Sequence, residues 1–274
     1  MMKRGKQYLL IGACLLFALV GCGKSENEGK TGGTETKYVK LGDYKKMEVT
    51  VEKSNVTDAT IQSYIERMIG SYAPAEGTKP TYDKLTDEFV ATYMKDTECK
   101  TVAELKQKVS DYLNDMNEYY AANNTRSAIV AELMEICTVK GMPEGLLEER
   151  VTQYEKIFKA KCKEQYGVEF EEYLATYQMT EEAFHEQTEA TVKETLESEL
   201  VLLAIGEKEG IQLEKKAYAE FVEQMLKNYS YETEEALYAD YGKEYIEDSY
   251  ICEQVLTMLV EDAKVTYVAP GGLQ

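Results

Sequence analysis

The feature that most constrains this chain is a succession of long segments in which apolar residues recur every three or four positions. In one of them the spacing is followed by Val102, Leu105, Val109 and Tyr112. Because an α-helix turns once every 3.6 residues, such residues share one face that can pack against a neighbouring element. Nearly the whole chain after Thr86 has this pattern. We therefore predict a mainly α fold, elongated and built from several helices.

Capping residues and glycines predict where these helices begin and end. Thr101 and Glu104 have the spacing of a capping box, in which each side chain satisfies the other's free backbone N–H. We expect this helix to end at Lys140-Gly141 and the next to start at Pro143 and stop at Gly167. The same signals predict further helices over Asp58 to about Ser71, about Glu169 to Tyr177, Thr180 to about Glu209, the stretch around Tyr218–Leu226, and the stretch around Tyr245–Leu259.

Strand signals are weak and lie towards the two ends of the chain. Val39 to Val51 is predicted to form one short N-terminal strand, because Met47, Val49 and Val51 alternate with polar residues. Lys264 to Val268 is a candidate for a short C-terminal strand. Because only these two short strands are predicted, the predicted fold class remains mainly α.

The first 22 residues have the features of an export signal. The basic residues Lys3, Arg4 and Lys6 precede an apolar stretch from Tyr8 to Val20, which is shorter than the roughly 20 residues of a membrane-spanning helix. The stretch ends in Leu-Val-Gly-Cys, which resembles the lipobox of bacterial lipoproteins. That resemblance implies lipidation at Cys22 and a location on the outer face of the bacterial cell membrane, held there by the lipid. An ordinary secretory signal with a chance cysteine is the alternative.

Composition divides the chain further. Gly23 to about Lys37 is rich in Gly, Ser, Thr, Glu and Lys and has no large apolar residue, which is typical of a flexible tether. The predicted organisation is a signal peptide at 1–21, a tether at 22–37, a strand-and-helix linker at 38–85, a helical domain at 86–268 and a tail at 269–274.

The excess of acidic residues limits the kinds of partner that this chain can bind. Fifty Asp and Glu residues against 31 Lys and Arg residues give a formal charge of -19. Nucleic acids and anionic lipid surfaces are bound through basic faces, so we expect no nucleic-acid partner.

Motifs of catalysis and of cofactor binding are missing from the sequence. The single histidine, His185, lies on a polar helical stretch, and the acidic pairs are neighbours that point about 100° apart around a helix. No phosphate-binding loop, nucleophile elbow or zinc motif is present. We therefore expect no catalytic residue, no metal site and no cofactor.

Four cysteines follow Cys22 at wide spacing. Cys137, Cys162 and Cys252 fall on apolar helical stripes, where buried free thiols are expected. Cys99 has no such context, and an exported protein can form disulfides, so the pairing of these cysteines stays open.

Six blocks of sequence, taken in order, resemble the trigger factor family. The blocks begin at Leu41 (LGDYKKMEV, then VTDATIQSYI), Leu85 (LTDEFV, then TVAELK), Met142 (MPEGLLEERV), Tyr173 (YLATYQMTEEAF), Leu203 (LAIGEKEGIQL) and Val260 (VEDAKV). The resemblance implies a helical cradle with arms that binds unfolded or exported polypeptides without ATP. The departures from the family are a signal peptide in place of a ribosome-docking domain, which implies no ribosome partner, and a bridge of only Tyr72 to Leu85 where the family has a prolyl-isomerase domain.

Tyrosines near helix ends are the candidates for contact with such polypeptides. The chain has 22 tyrosines, most of which are expected in core stripes, but amphipathic rings near turns can also line a groove. The predicted polypeptide-binding residues are Tyr119, Tyr120, Tyr173, Tyr177, Tyr229 and Tyr231. We also expect the segment from Met142 to about Leu200 to form an antiparallel projection, with Phe184 and Leu196 facing a partner helix.

The function predicted from these features is that of a membrane-tethered, ATP-independent holdase chaperone. One alternative is a solute- or ligand-binding lipoprotein, which the scarcity of strands disfavours, since such receptors usually alternate strands and helices. The other alternative is a foldase with residual peptidyl-prolyl isomerase activity, which leaves enzymatic activity uncertain.

Overall fold

The computed structural model describes residues 36–72 and 80–271, and this part of the chain is mainly helical, as predicted. The helices are α1 (Asp58–Tyr72), α2 (Asp87–Tyr93), α3 (Val102–Ile136), α4 (Leu146–Tyr166), α5 (Phe170–Thr176), α6 (Glu181–Glu209), α7 (Lys215–Tyr229), α8 (Glu234–Tyr241) and α9 (Lys243–Asp262). The strands are β1 (Val39–Lys40), β2 (Glu48–Glu52), β3 (Thr138–Val139) and β4 (Lys264–Val268). The predicted signal peptide, the lipidation residue Cys22 and most of the predicted tether lie outside the described residues.

The described residues divide into two compact units. The first contains residues 50–72, 80–125 and 265–271, and the second contains residues 36–49 and 126–264. Helix α3 contributes its first 24 residues (102–125) to the first unit and the rest to the second.

The core of the first unit joins α1, α2 and α3. Ile65 and Ile69 from α1 are buried with Val90 from α2, with Met94 directly after α2, and with Leu105 and Val109 from α3. The pairs from α1 and α3 are each four positions apart, so the apolar stripes seen in the sequence are the faces that meet.

The predicted capping box at the start of α3 is confirmed. The backbone N–H of Glu104 donates to Thr101 Oγ1 at 3.1 Å, and the backbone N–H of Thr101 donates to Glu104 Oε2 at 3.3 Å. Two N–H groups that the helix leaves without partners are thereby satisfied.

Helices α4 and α6 of the second unit pack side by side and antiparallel. Phe158, late in α4, contacts Phe184, early in α6, whereas Val151, early in α4, contacts Leu196, further along α6. The prediction that Phe184 and Leu196 face a partner helix is therefore confirmed. On another side α6 packs against α9, so closely that a Cβ on Gly206 would lie 2.8 Å from Ile251 Cγ2.

The predicted N-terminal strand is confirmed as β2, where the buried Val49 and Val51 alternate with exposed residues, but it does not extend back to Val39. The separate strand β1 is divided from β2 by a loop in which Lys46 has a left-handed backbone (φ 55°), outside the extended region of a regular strand. Within this loop a Cβ on Gly42 would lie 2.2 Å from the carbonyl oxygen of Ile136, so only glycine allows the close approach.

The predicted boundary between α3 and α4 is also wrong. Helix α3 ends at Ile136 rather than Lys140, because Thr138 and Val139 form β3, which pairs antiparallel with β1. Pro143 lies before α4, in a turn where its carbonyl accepts the N–H of Leu146 at 3.2 Å. The stop of α4 at Gly167, in the left-handed region (φ 74°), is as predicted.

Two further elements complete the comparison with the sequence. Helix α8 was not predicted, and its start is capped by Thr233, whose Oγ1 accepts the N–H of Ala236 at 3.2 Å. The predicted C-terminal strand is confirmed as β4, which pairs with β2.

Candidate functional site

Three tyrosines stack where α4 ends and α5 lies against it. Tyr166 is the last residue of α4, Tyr173 lies within α5, and Tyr177 follows the last residue of α5. The ring centroids of Tyr166 and Tyr173 are 4.8 Å apart, and those of Tyr173 and Tyr177 are 4.7 Å apart. We call Tyr166, Tyr173 and Tyr177 the tyrosine stack.

A buried aromatic base supports the tyrosine stack. The Phe158 ring lies 5.2 Å from the Tyr173 ring and 5.0 Å from the Phe184 ring, and Phe170 packs beside both phenylalanines. Phe158, Phe170 and Phe184 are all buried and come from α4, α5 and α6 respectively. Three helices therefore hold the base on which the Tyr173 ring packs.

The outer rings of the stack are open to solvent. Tyr177 is 59% exposed and Tyr166 is 43% exposed, while Tyr173 between them is half-buried. Burial, together with the smaller effect of the neighbouring phenols of Tyr166 and Tyr177, raises the pKa of Tyr173 to about 12. The pKa of Tyr166 is raised as well, chiefly by burial. The stack therefore presents uncharged, amphipathic rings at neutral pH.

Charged residues of both signs flank the stack. Lys163 forms an ion pair with Glu169, and Lys159 lies over the Phe170 ring of the base at 4.9 Å. The charged residues of α5 and of the first turn of α6 are Glu171, Glu172, Glu181 and Glu182. The stack therefore presents its ring faces among mixed charges.

The other four predicted tyrosines fall into two pairs. Tyr119 and Tyr120 lie on α3 in the first unit, with ring centroids 5.7 Å apart, and both are exposed. Tyr229 and Tyr231 are half-buried against the core formed by α7, α8 and α9. Tyr231 donates a hydrogen bond to Asp240 Oδ2 at 2.6 Å, so this hydroxyl is already engaged.

Tyr166 is the member of the stack that sequence reasoning missed. It was assigned only to the end of α4, next to Gly167. The signal that could have found it is its place beside a helix-ending glycine, where the turn leads directly into the helix that carries Tyr173 and Tyr177.

A cluster of charged side chains lies where α4, α6 and α9 meet. The pKa of Glu199 is raised to about 7, mainly because burial penalises its ionised form, while Arg150 lowers it and Asp248 raises it. Arg150 lies over the Tyr245 ring at 4.0 Å, and its Nε is buried with no hydrogen-bond partner among the described residues. The cavity lined by Arg150 and Glu199 has a volume of about 10 Å³, which is room for one water at most. No substrate can enter it, so the cluster is a structural feature.

His185 and the cysteines are placed as structural residues too. His185 Nδ1 lies 2.7 Å from Glu155 Oε1 on the exposed side of the α4–α6 pair. Cys99, Cys137, Cys162 and Cys252 are buried free thiols, as predicted for the last three. Within residues 36–72 and 80–271, no group of three or more His, Cys, Asp and Glu side chains is arranged to hold a metal ion.

None of the described helices combines the length and the apolar character needed to cross a bilayer.

Comparison with known proteins gives the family of the chain. Residues 101–262 match the sequence model of the family described as "Bacterial trigger factor protein (TF) C-terminus". The trigger factor of Leuconostoc citreum (strain KM20) is 28% identical over 154 residues, which cover 56% of this chain and 35% of that protein. The trigger factor of Halothermothrix orenii is 29% identical over 146 residues, which cover 53% of this chain and 33% of that protein.

These matches span about a third of the length of the curated relatives. Among solved structures, a hypothetical Mycoplasma protein is 10% identical with a TM-score of 0.38, covering 84% of this chain and 90% of that one. The family match includes α3 to α9, from the capping box to the end of the last helix, and covers more than half of the chain. This protein therefore belongs to the family of bacterial trigger factor C-terminal domains.

Proposed function

We propose that this protein is an ATP-independent chaperone that holds unfolded polypeptides, with the tyrosine stack as one of its contact surfaces. The observation that carries the proposal is the family match over residues 101–262, whose similar relatives are named trigger factors. The stack lies inside the matched segment and is the place where three tyrosine rings meet on a buried phenylalanine base.

The chemistry of the stack suits weak and unspecific binding. Tyrosine offers a large contact area and loses little conformational entropy when it is held. A polypeptide that touches two exposed rings gains modest apolar contact and can leave again without an energy source. The phenols are uncharged at neutral pH, so they do not repel apolar segments.

Holding is tested by the aggregation of an unrelated protein as it refolds, followed by light scattering. The full chain is expected to lower the scattering in the absence of ATP. The Tyr166→Ala/Tyr177→Ala variant is expected to lower it much less, because it removes both exposed rings. A matched control is Tyr93→Ala/Tyr112→Ala, which removes two tyrosines of the first unit that are 46% and 45% exposed.

Equal loss of holding in both double variants would show that the number of exposed tyrosines matters and that their place in the stack does not. Full holding by the stack variant would exclude the stack as a contact surface. No effect of the wild-type chain on scattering would contradict the chaperone function itself.

We further propose that a lipid at Cys22 tethers this chaperone to the outer face of the cell membrane. The proposal is supported by the Leu-Val-Gly-Cys sequence after an apolar stretch of signal-peptide length. Metabolic labelling with a fatty-acid analogue is expected to mark the wild-type chain and not the Cys22→Ala variant. Cys14→Ala, within the predicted signal, is the matched control and should be labelled like the wild type. Labelling of the Cys22→Ala variant would contradict the tether.

A further inference from the structure

Strand β4 uses only alternate residues to pair with β2. The backbone N–H of Lys264 donates to the carbonyl of Met47 at 2.8 Å, and the carbonyl of Val268 accepts the N–H of Lys53 at 2.9 Å. Both bonds follow the same order along the two strands, so the pairing is parallel. In a parallel ladder the N–H and C=O of one residue point to the same side, so the even-numbered residues of β4 point towards β2.

The odd-numbered residues of β4 therefore point away from β2. Val265 and Tyr267 direct an N–H and a C=O each towards the outer edge of the strand. Within the described residues this sheet has two strands, so no third strand covers that edge. Tyr267 is 49% exposed and Val265 is partly exposed. We call Val265 and Tyr267 with their outward backbone groups the β4 edge.

The lysines beside the β4 edge are already engaged. Lys53 lies over the Tyr267 ring at 5.0 Å and forms an ion pair with Glu118 at 2.6 Å. Lys264 forms an ion pair with Glu48 at 2.9 Å. Charged side chains on an edge protect natural sheets from unwanted pairing, and the two residues of the β4 edge, Val265 and Tyr267, are both uncharged.

We propose that the β4 edge binds an extended segment of an unfolded polypeptide as an added strand. The occupant follows from the geometry, since donors and acceptors at strand spacing match an extended backbone rather than a helix or a small molecule. Backbone pairing does not depend on the sequence of the bound segment, which suits a protein with many clients. The inference rests on the proposed function only in that the bound segment belongs to a client.

The first test uses the full wild-type chain and needs no variant. The probe is a fluorescent, end-capped peptide of alternating Thr and Val, and its binding is measured by fluorescence anisotropy. The comparison peptide has the same side chains but N-methyl groups on its central amides, so that it cannot pair as a strand. The N-methylated peptide is expected to bind about tenfold more weakly, since several backbone hydrogen bonds are lost. Equal affinities, or no binding of the unmodified peptide, would overturn the proposal.

The second test removes one outward donor from the protein. Tyr267→Pro deletes the N–H at the β4 edge and leaves the bonds of the even-numbered residues to β2 in place, and proline is tolerated on edge strands. Tyr267→Ala is the matched control, because it removes the ring and keeps the N–H. The proline variant is expected to bind the unmodified peptide several-fold more weakly than the alanine variant does. Equal binding by the two variants, with far-UV circular dichroism like that of the wild type, would overturn the proposal.

Two further measurements distinguish binding at the β4 edge from self-association of the chain and from binding at the tyrosine stack. If the chain forms a dimer in sedimentation experiments that Tyr267→Pro abolishes, and the peptide does not bind, the edge pairs with a second copy and the proposal fails. If the Tyr166→Ala/Tyr177→Ala variant loses holding but binds the peptide as wild type does, the β4 edge and the tyrosine stack are independent sites. Loss of peptide binding in that variant would place the peptide on the stack and overturn the edge proposal, while the chaperone function would stand.

Discussion

The second unit contains two aromatic clusters rich in tyrosine, and they use the same residue type in opposite ways. In the cluster of α7, α8 and α9, Tyr241 is buried and Tyr231 donates to a carboxylate oxygen of Asp240. In the cluster of α4, α5 and α6, phenylalanines fill the interior, and Tyr166 and Tyr177 lie outside it with exposed rings. A tyrosine whose ring is buried and whose hydroxyl has a polar partner completes a core, whereas one that lies on a phenylalanine base at a helix end forms a surface.

The difference follows from what packs around each ring and not from its place in a helix. Tyr241 is the last residue of α8 and is buried in the cluster of α7, α8 and α9, whereas Tyr166 and Tyr177, also at or just after a helix end, have exposed rings. Variants of the two clusters are therefore expected to differ in how much they lower the free energy of unfolding.

Loss of the Phe158 ring, at the base of the tyrosine stack, should have the largest effect on the free energy of unfolding. Phe158→Ala removes a buried ring that contacts Phe170, Tyr173 and Phe184, and it is expected to lower the free energy of unfolding by about 3–5 kcal/mol. Urea denaturation followed by circular dichroism measures this change. Phe158→Leu keeps most of the volume and should cost clearly less. A cost below about 1 kcal/mol for the alanine variant would show that the base of the stack is loosely packed.

The charged cluster at the junction of α4, α6 and α9 should make stability depend on pH. The pKa of Glu199 is raised to about 7 in the folded protein, so the folded state binds this proton more tightly than the unfolded state does. The contribution is therefore fully present below about pH 4.5 and is lost as the pH rises through about 7. Glu199→Gln is expected to be more stable than wild type at pH 8, by on the order of 2 kcal/mol, and to lose this advantage towards pH 5.

Melting curves of the wild type and of Glu199→Gln at several pH values measure this difference in stability. Glu197→Gln, two residues away on α6, is the matched control and should follow the wild type. Glu199 lies beside residues of both aromatic clusters, so this test concerns their junction. The cavity next to it is lined by Tyr154, which packs on the cluster of the stack, and by Tyr245, which belongs to the other cluster. A difference that is constant from pH 5 to pH 8 would contradict the raised pKa of Glu199.

The hydroxyl of Tyr231 should matter more than that of Tyr177. Tyr231→Phe removes the donor to Asp240 and leaves a partly buried carboxylate with one partner fewer, which is expected to cost about 1–2 kcal/mol. Tyr177→Phe removes a solvent-exposed hydroxyl and should change stability by less than about 0.5 kcal/mol. Chemical denaturation of the two variants in parallel measures the contrast. Equal costs would remove the distinction between the two clusters.

Removal of the exposed ring should have the smallest effect on the fold. Tyr177→Ala is expected to lower the free energy of unfolding by less than about 0.5 kcal/mol and still to weaken the holding of an aggregating client. Thermal melting and the light-scattering assay are the two measurements. A clearly lower melting temperature would mean that Tyr177 completes the core, as Tyr241 does in the other cluster.

Local signals in the sequence predicted most helix limits. The capping box at Thr101 and Glu104, the cap at Thr180 and the left-handed glycines after α4 and α6 all lie where they were expected. Each of these signals acts between residues no more than about four positions apart. The mainly α fold class and the facing of Phe184 and Leu196 were predictable for the same reason, since helical periodicity is local.

Pairing between distant residues accounts for the errors. Nothing near Ile136 ends α3, and the helix stops there because Thr138 and Val139 pair with a strand almost 100 residues earlier in the chain. The loop at Gly42 that divides the predicted strand is shaped by its close approach to Ile136. These contacts depend on the packed chain, and no window of sequence contains both partners.

The sequence by itself determined most of the helices, their apolar faces, the acidic net charge and the resemblance to the trigger factor family. Only the tertiary structure decided which tyrosines form a surface. It joined Tyr166 to Tyr173 and Tyr177, engaged the hydroxyl of Tyr231, and left Val265 and Tyr267 on an edge of β4 with which none of the described strands pairs. The physical reason is that helix formation depends on neighbours within one turn, whereas exposure depends on every element that packs around a side chain.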